Sequence, residues 1–109
     1  MKSRISVERG SGNVFADLGY PDAEEALVKA RLAQRISELI ERRGLSQQQA
    51  ATRLAIDQPK VSKLLCGRLR EFSTDRLFRF LNALDQDVQI VVKAKARSRK
   101  QATVRVLAA

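Results

Sequence analysis

The chain has 109 residues with 21 Lys and Arg against 12 Asp and Glu, a formal charge of +9, one cysteine and no histidine. A single small domain with tails fits that length. An internal disulfide, a zinc finger and any Cys/His or His-based catalytic pair are excluded, and no apolar run is long enough to span a bilayer. The charge favours a polyanionic partner, nucleic acid first, and the lone Cys66 fits a reducing, cytoplasmic location.

In chain order, residues 1–12 carry charge, Ser and Gly and predict a flexible start. Residues 13–19, Asn-Val-Phe-Ala-Asp-Leu-Gly, form a short arm able to pin Val14, Phe15 and Leu18 onto the core or onto a partner. A long helix is expected from Asp22, whose side chain and that of Glu25 make a capping box, with acids suited to the helix dipole. Leu27, Ala30, Ala33, Ile36 and Ile40 recur at helical spacing, Leu32 and Leu39 widen the stripe, and Gly44 stops the helix in the left-handed region.

Ser46 and Gln49 form a second capping box, opening a helix that runs to about Leu54. Asp57 is a third N-cap, and Pro59 is tolerated in the first turn, where no intrahelical donor is lost. That third helix runs to about Cys66, closed by Gly67. Ser73 caps a fourth, whose Leu77, Phe78, Leu81 and Leu84 supply core. After Asp87 the period changes to two. Val88, Ile90 and Val92 alternate with Gln89, Val91 and Lys93, and Val104 and Val106 make a second short run, with a solvated loop over residues 97–100 between them. The expectation is a C-terminal β-strand or short hairpin. An isolated hairpin is marginal in water, so it needs a partner: the arm, a second copy or another protein. The domain plan is therefore residues 1–12 as a flexible N-terminus, 13–86 as the helical domain with its arm, and 87–109 as a dimerisation or partner-binding tail.

Residues 46–67 combine two short capped helices, a tight turn and two kinds of position. Ala50, Ala51, Leu54, Ile56, Val61, Leu64 and Leu65 point inward, while Gln47, Gln58, Lys60, Ser62 and Lys63 stay outside. From Arg42 to Arg70 the only acid is Asp57, against seven Lys and Arg. This is the pattern of a helix-turn-helix, whose second helix enters the major groove of double-stranded DNA. Gln bonds adenine bidentately, Lys reaches guanine O6 and N7, and Ser serves either base. Gln58, Ser62 and Lys63 are the expected base readers, with Lys60 beside them in reach of base or phosphate. Gln47, Arg68 and Arg70 are placed for the sugar-phosphate backbone. Each of these polar residues taken singly is as well explained as a solvated helix face; jointly they point to groove binding. Cys66 is expected to be a small packing residue. No Gly-rich phosphate loop or nucleophile–base pair is present, so no enzyme, cofactor or metal is expected. One Tyr and four Phe leave few platforms for stacking RNA bases.

Residues 46–67 resemble the helix-turn-helix of the XRE family, which includes the lambda-type phage repressors and Cro. A wider resemblance, over residues 13–93, is to HigA-like antitoxin regulators. It rests on the arm at 13–19, Ile-Asp-Gln-Pro-Lys-Val-Ser (56–62), Phe72-Ser73, Arg-Phe-Leu-Asn (79–82) and Asp-Val-Gln-Ile-Val-Val (87–92). It implies a mainly α, lambda-repressor-like bundle of four to five helices. It also implies a homodimer that represses its own operator and an antitoxin for a RelE/HigB-like toxin. The alternative is a stand-alone XRE-type repressor. Gln58 and Lys63 lead as base readers, followed by Lys60 and Ser62, and Pro59 shapes the helix start. Ala55 departs from the glycine usual in the family's turn, which requires either a negative φ or a modest strain. Nothing beyond about Lys95 is covered.

Overall fold

The computed structural model describes residues 23–107. It holds four helices: α1 (Ala23–Arg42), α2 (Gln47–Leu54), α3 (Gln58–Leu65) and α4 (Thr74–Ala83). The flexible start, the arm at 13–19 and the Asp22 cap all lie outside the described residues. No helix among those described is long and apolar enough to cross a membrane.

Local chemistry starts three of the helices as expected. The Ser46 hydroxyl accepts from the Gln49 amide, and Gln49 Oε1 accepts from the Ser46 amide, completing a capping box. Asp57 and Ser73 accept from the amides of Lys60 and Arg76, so each satisfies one orphan donor of its helix. All four helices end in one motif. Within two residues of each helix end, a residue adopts the left-handed conformation: Gly44 (φ 63°), Ala55 (φ 59°), Gly67 (φ 80°) and Asp85 (φ 64°). Its amide bonds the carbonyl three residues back, and the next amide bonds the carbonyl five residues back, as in Leu45 N to Ile40 O at 3.1 Å and Ile56 N to Ala51 O at 3.0 Å. This pair of bonds satisfies the last carbonyls and turns the chain back onto the bundle.

Helix α1 lies across α3 and α4, and α2 packs on α3 and α4, around one core. Ala50, Ala51, Leu54, Val61 and Leu64 are buried as their spacing predicts, and Ile56 and Leu65 pack half-buried against them. On α1 the buried stripe is Leu32, Ala33, Ile36, Leu39 and Ile40, while Leu27 and Ala30 are only half-buried. Two aromatic anchors were absent from the expected core. Phe72, fully buried before α4, meets Phe80 edge-on at 5.9 Å between ring centroids, and the Arg76 guanidinium sits 5.6 Å from the Phe72 ring centroid. Phe80 takes the buried position expected of Phe78, which is half-buried.

Two expectations are corrected. Cys66 is exposed, not packed. It follows α3 on the side away from Val61 and Leu64, which already fill the core-facing stripe. The C-terminal strands are also absent among the described residues. Residues 86–96 and 102–107 run without regular structure on either side of a turn, with Val88 and Val106 touching the core. Alternation makes a segment fit to be a strand, but a strand exists only when another backbone offers the complementary bonds, and here none does.

Candidate nucleic-acid interface

The helix-turn-helix is α2, the turn through Ala55 and Ile56, and α3. Its inward residues hold the two helices together, so its outward residues are displayed on a rigid frame. Gln47 and Gln58 are exposed in the first turns of α2 and α3, and Ser62 follows Gln58 by four residues, on the same face of the helix. Ser62, Lys60 and Lys63 are half-buried, whereas Arg68 and Arg70 are exposed just beyond α3.

The two helix starts differ electrostatically. The Asp57 carboxylate already occupies the amide end of α3, while α2 is capped by the neutral Ser46 and has no acid in its first turn. An incoming phosphate is therefore repelled at the start of α3 and favoured at the start of α2, beside Gln47. Side chains rather than amides are left to do the work of α3.

The structure divides the basic residues into three groups. Arg43 and Arg53 are committed internally. Arg43 Nη1 and Arg53 Nη2 pair with Asp85 Oδ2 at 3.1 and 2.9 Å. The same two guanidiniums donate to the Leu84 and Ala83 carbonyls at 2.6 and 2.9 Å, closing the carbonyl end of α4. Lys63 is engaged too, through a hydrogen-bonded ion pair with Glu71. That pair holds the Glu71 carboxyl below the usual carboxylate range, first through the hydrogen bond and then through the Lys63 charge, with Lys60 adding to it and Asp57 opposing. Lys60, Arg68 and Arg70 form no ion pair with any described residue.

Lys63, Arg68, Arg70 and Glu71 come together on one wall of an open groove of about 970 Å³, opposite Glu25, Lys29 and Gln34 of α1. Gln47, Gln58, Lys60 and Ser62 do not line it. Of the expected base readers, then, Gln58 and Ser62 share one stripe, while Lys63 stands one position round the helix, toward the loop. Glu71 is the residue that the spacing argument missed. It lies in the loop after α3, so helical periodicity carried no sign of it; only the buried Phe72 beside it fixes where it stands. Among the described residues there is no cluster able to hold a metal ion.

Known proteins agree with this geometry at the level of the fold and its class. A family described as a helix-turn-helix domain matches residues 14–93. A solved structure named as an XRE family transcriptional regulator is 54% identical, covering 82% of this chain and 100% of that one, with a TM-score of 0.79. No curated protein matches the chain.

Proposed function

The chain belongs to the helix-turn-helix domain family, as a DNA-binding regulator of XRE type, and from that premise we propose that it is a sequence-specific, dimeric repressor of its own operon. One observation carries the reading. A capped two-helix frame displays Gln58 and Ser62 on one stripe, with unpaired Arg68 and Arg70 beside it to grip the backbone. Gln58 takes adenine N6 and N7, Ser62 an adjacent base edge, and Lys63 guanine once it leaves Glu71. Gln47, Arg68 and Arg70 bind phosphate, and Lys60 serves base or phosphate. Two such frames related by a two-fold axis read half-sites about 34 Å apart. A titration of the protein against its own promoter and against random DNA, at about 150 mM salt, tests this. Equal affinity for the two would sink it.

The antitoxin role extends the proposal. It is supported by the resemblance of residues 13–93 to HigA-like regulators and by apolar surface left over in the tail. A small basic reading frame beside this one, whose product co-purifies with the chain and loses its ribosome-dependent mRNA cleavage on binding, is the expected result. With no such neighbour and no co-purifying toxin, the chain is a stand-alone repressor.

A further inference from the structure

Residues 87–93, Asp-Val-Gln-Ile-Val-Val-Lys, leave the core at Val88 and carry three aliphatic side chains into solvent. Ile90, Val91 and Val92 are 72%, 79% and 91% exposed. No backbone group of residues 87–94 makes a hydrogen bond with a described residue. A run of apolar side chains with its whole backbone ladder unpaired is a strand awaiting a partner.

The order of its residues says which partner. Reflected about Ile90, the segment is complementary to itself. In an antiparallel pair of two copies, Ile90 faces Ile90, Val88 faces Val92, Gln89 faces Val91, and Asp87 faces Lys93. Parity then sorts the faces. Val88, Ile90 and Val92 of both copies form one wholly aliphatic face, the one that Val88 already turns toward the core. Asp87, Gln89, Val91 and Lys93 form the other, with one Asp–Lys pair at each end. A slip of one residue would set the aliphatic face of one strand against the polar face of the other, so the register is strongly specified. Beyond this window the tail carries only basic charges, which oppose any longer or parallel self-pairing.

We propose that residues 87–93 of two copies pair antiparallel about Ile90, and that this ribbon is the two-fold element that sets two recognition helices on one operator. The inference rests on the dimeric repressor reading above. It assigns the partner of the tail as a second copy rather than another protein.

Charge reversal tests it on the full chain, by sedimentation equilibrium. Asp87→Lys puts Lys against Lys, and Lys93→Asp puts Asp against Asp. Each substitution is expected to raise the dimer dissociation constant about tenfold or more, since both ends of the ribbon become repulsive. Mixing the two single variants restores both end pairs and is expected to restore association, as is the double reversal D87K/K93D. Ile90→Asp, which sets two carboxylates face to face at the centre, is expected to leave monomer. All three side chains are exposed in the single chain, so the urea midpoint of the folded monomer serves as the control. Single variants that associate as tightly as the parent, a mixture that fails to recover, or a parent that stays monomeric at micromolar concentration would each overturn the pairing. A chain that dimerises as expected yet prefers no DNA sequence overturns only the repressor reading. One that binds its operator while ignoring the charge swaps overturns only the ribbon.

Discussion

Lys63 illustrates how a single side chain can be placed correctly and still be misjudged. Its position on α3 faces outward, yet its ammonium is held by Glu71, an acid with the same sign as the phosphates it would face. Binding DNA through Lys63 means exchanging that partner. Lys63→Ala is expected to cost about 1–3 kcal/mol against the preferred operator and to relax selection at one base position. Glu71→Gln keeps the shape, releases Lys63 and removes a negative charge. It is expected to tighten binding to all sequences and to steepen the dependence of log affinity on log salt by about one for each chain bound. Fluorescence anisotropy with the operator and single-base variants reads both. No change in the Glu71→Gln protein would mean that the ion pair is ornament to DNA binding. Ala55 is a second residue-scale case. At φ 59° it occupies a conformation that costs an L-residue roughly 1–2 kcal/mol, part of which glycine forfeits through greater freedom when unfolded. Ala55→Gly is thus expected to stabilise the domain by about 0.5–1 kcal/mol, as a raised urea midpoint with unchanged slope. A lowered midpoint would show that this turn is not left-handed in solution.

Elements carry their own instructions to different degrees, and the difference is physical. The starts of α2, α3 and α4 were legible because Ser46, Asp57 and Ser73 act on amides three residues away. Helix ends at Gly44 and Gly67 were legible for the same reason, whereas Ala55 and Asp85 reach the left-handed region without glycine and gave less warning. What local chemistry could not reveal was who pairs with whom across the chain. Arg43 and Arg53 read as basic surface, but α1 and α2 deliver them to the carbonyl end of α4, forty-odd and thirty residues away in sequence. Phe72 stood in a loop with no period to mark it, so neither its burial nor the position of Glu71 could be foreseen. The Arg43–Asp85–Arg53 bridge gives an element-scale expectation. Asp85→Asn retains a residue tolerant of the left-handed turn while removing the charge that both guanidiniums share. Asp85 is well exposed, so the pairs are screened and together contribute about 1 kcal/mol or less. Urea unfolding at low salt is expected to show that loss, and about 1 M salt to erase most of it. A loss undiminished by salt would point to geometry rather than charge as the tie.

At the scale of the whole molecule, charge is sorted by position. The acids that remain near the recognition surface are both spoken for, Asp57 by the amide of Lys60 and Glu71 by Lys63. Arg68 and Arg70, free of ion pairs with described residues, stand just past α3, where an arginine grips backbone without reading sequence. Such a contact acts through counterion release, so its signature is common to all DNA and graded by salt. Arg68→Ala is expected to weaken operator and random DNA by the same factor, leaving their ratio unchanged. The number of copies bound enters directly. Each phosphate contact contributes about 0.9 to the slope of log affinity against log salt, so the substitution lowers the slope by about one for a single chain and by about two for a two-fold dimer. Binding isotherms over a salt series therefore measure the role of Arg68 and the stoichiometry together. A drop of about two in the parent background that falls to about one when Ile90→Asp is also present is the result expected if the tail ribbon joins the halves. A change in the operator-to-random ratio would instead place Arg68 among the base readers, and an unchanged slope would remove it from the interface.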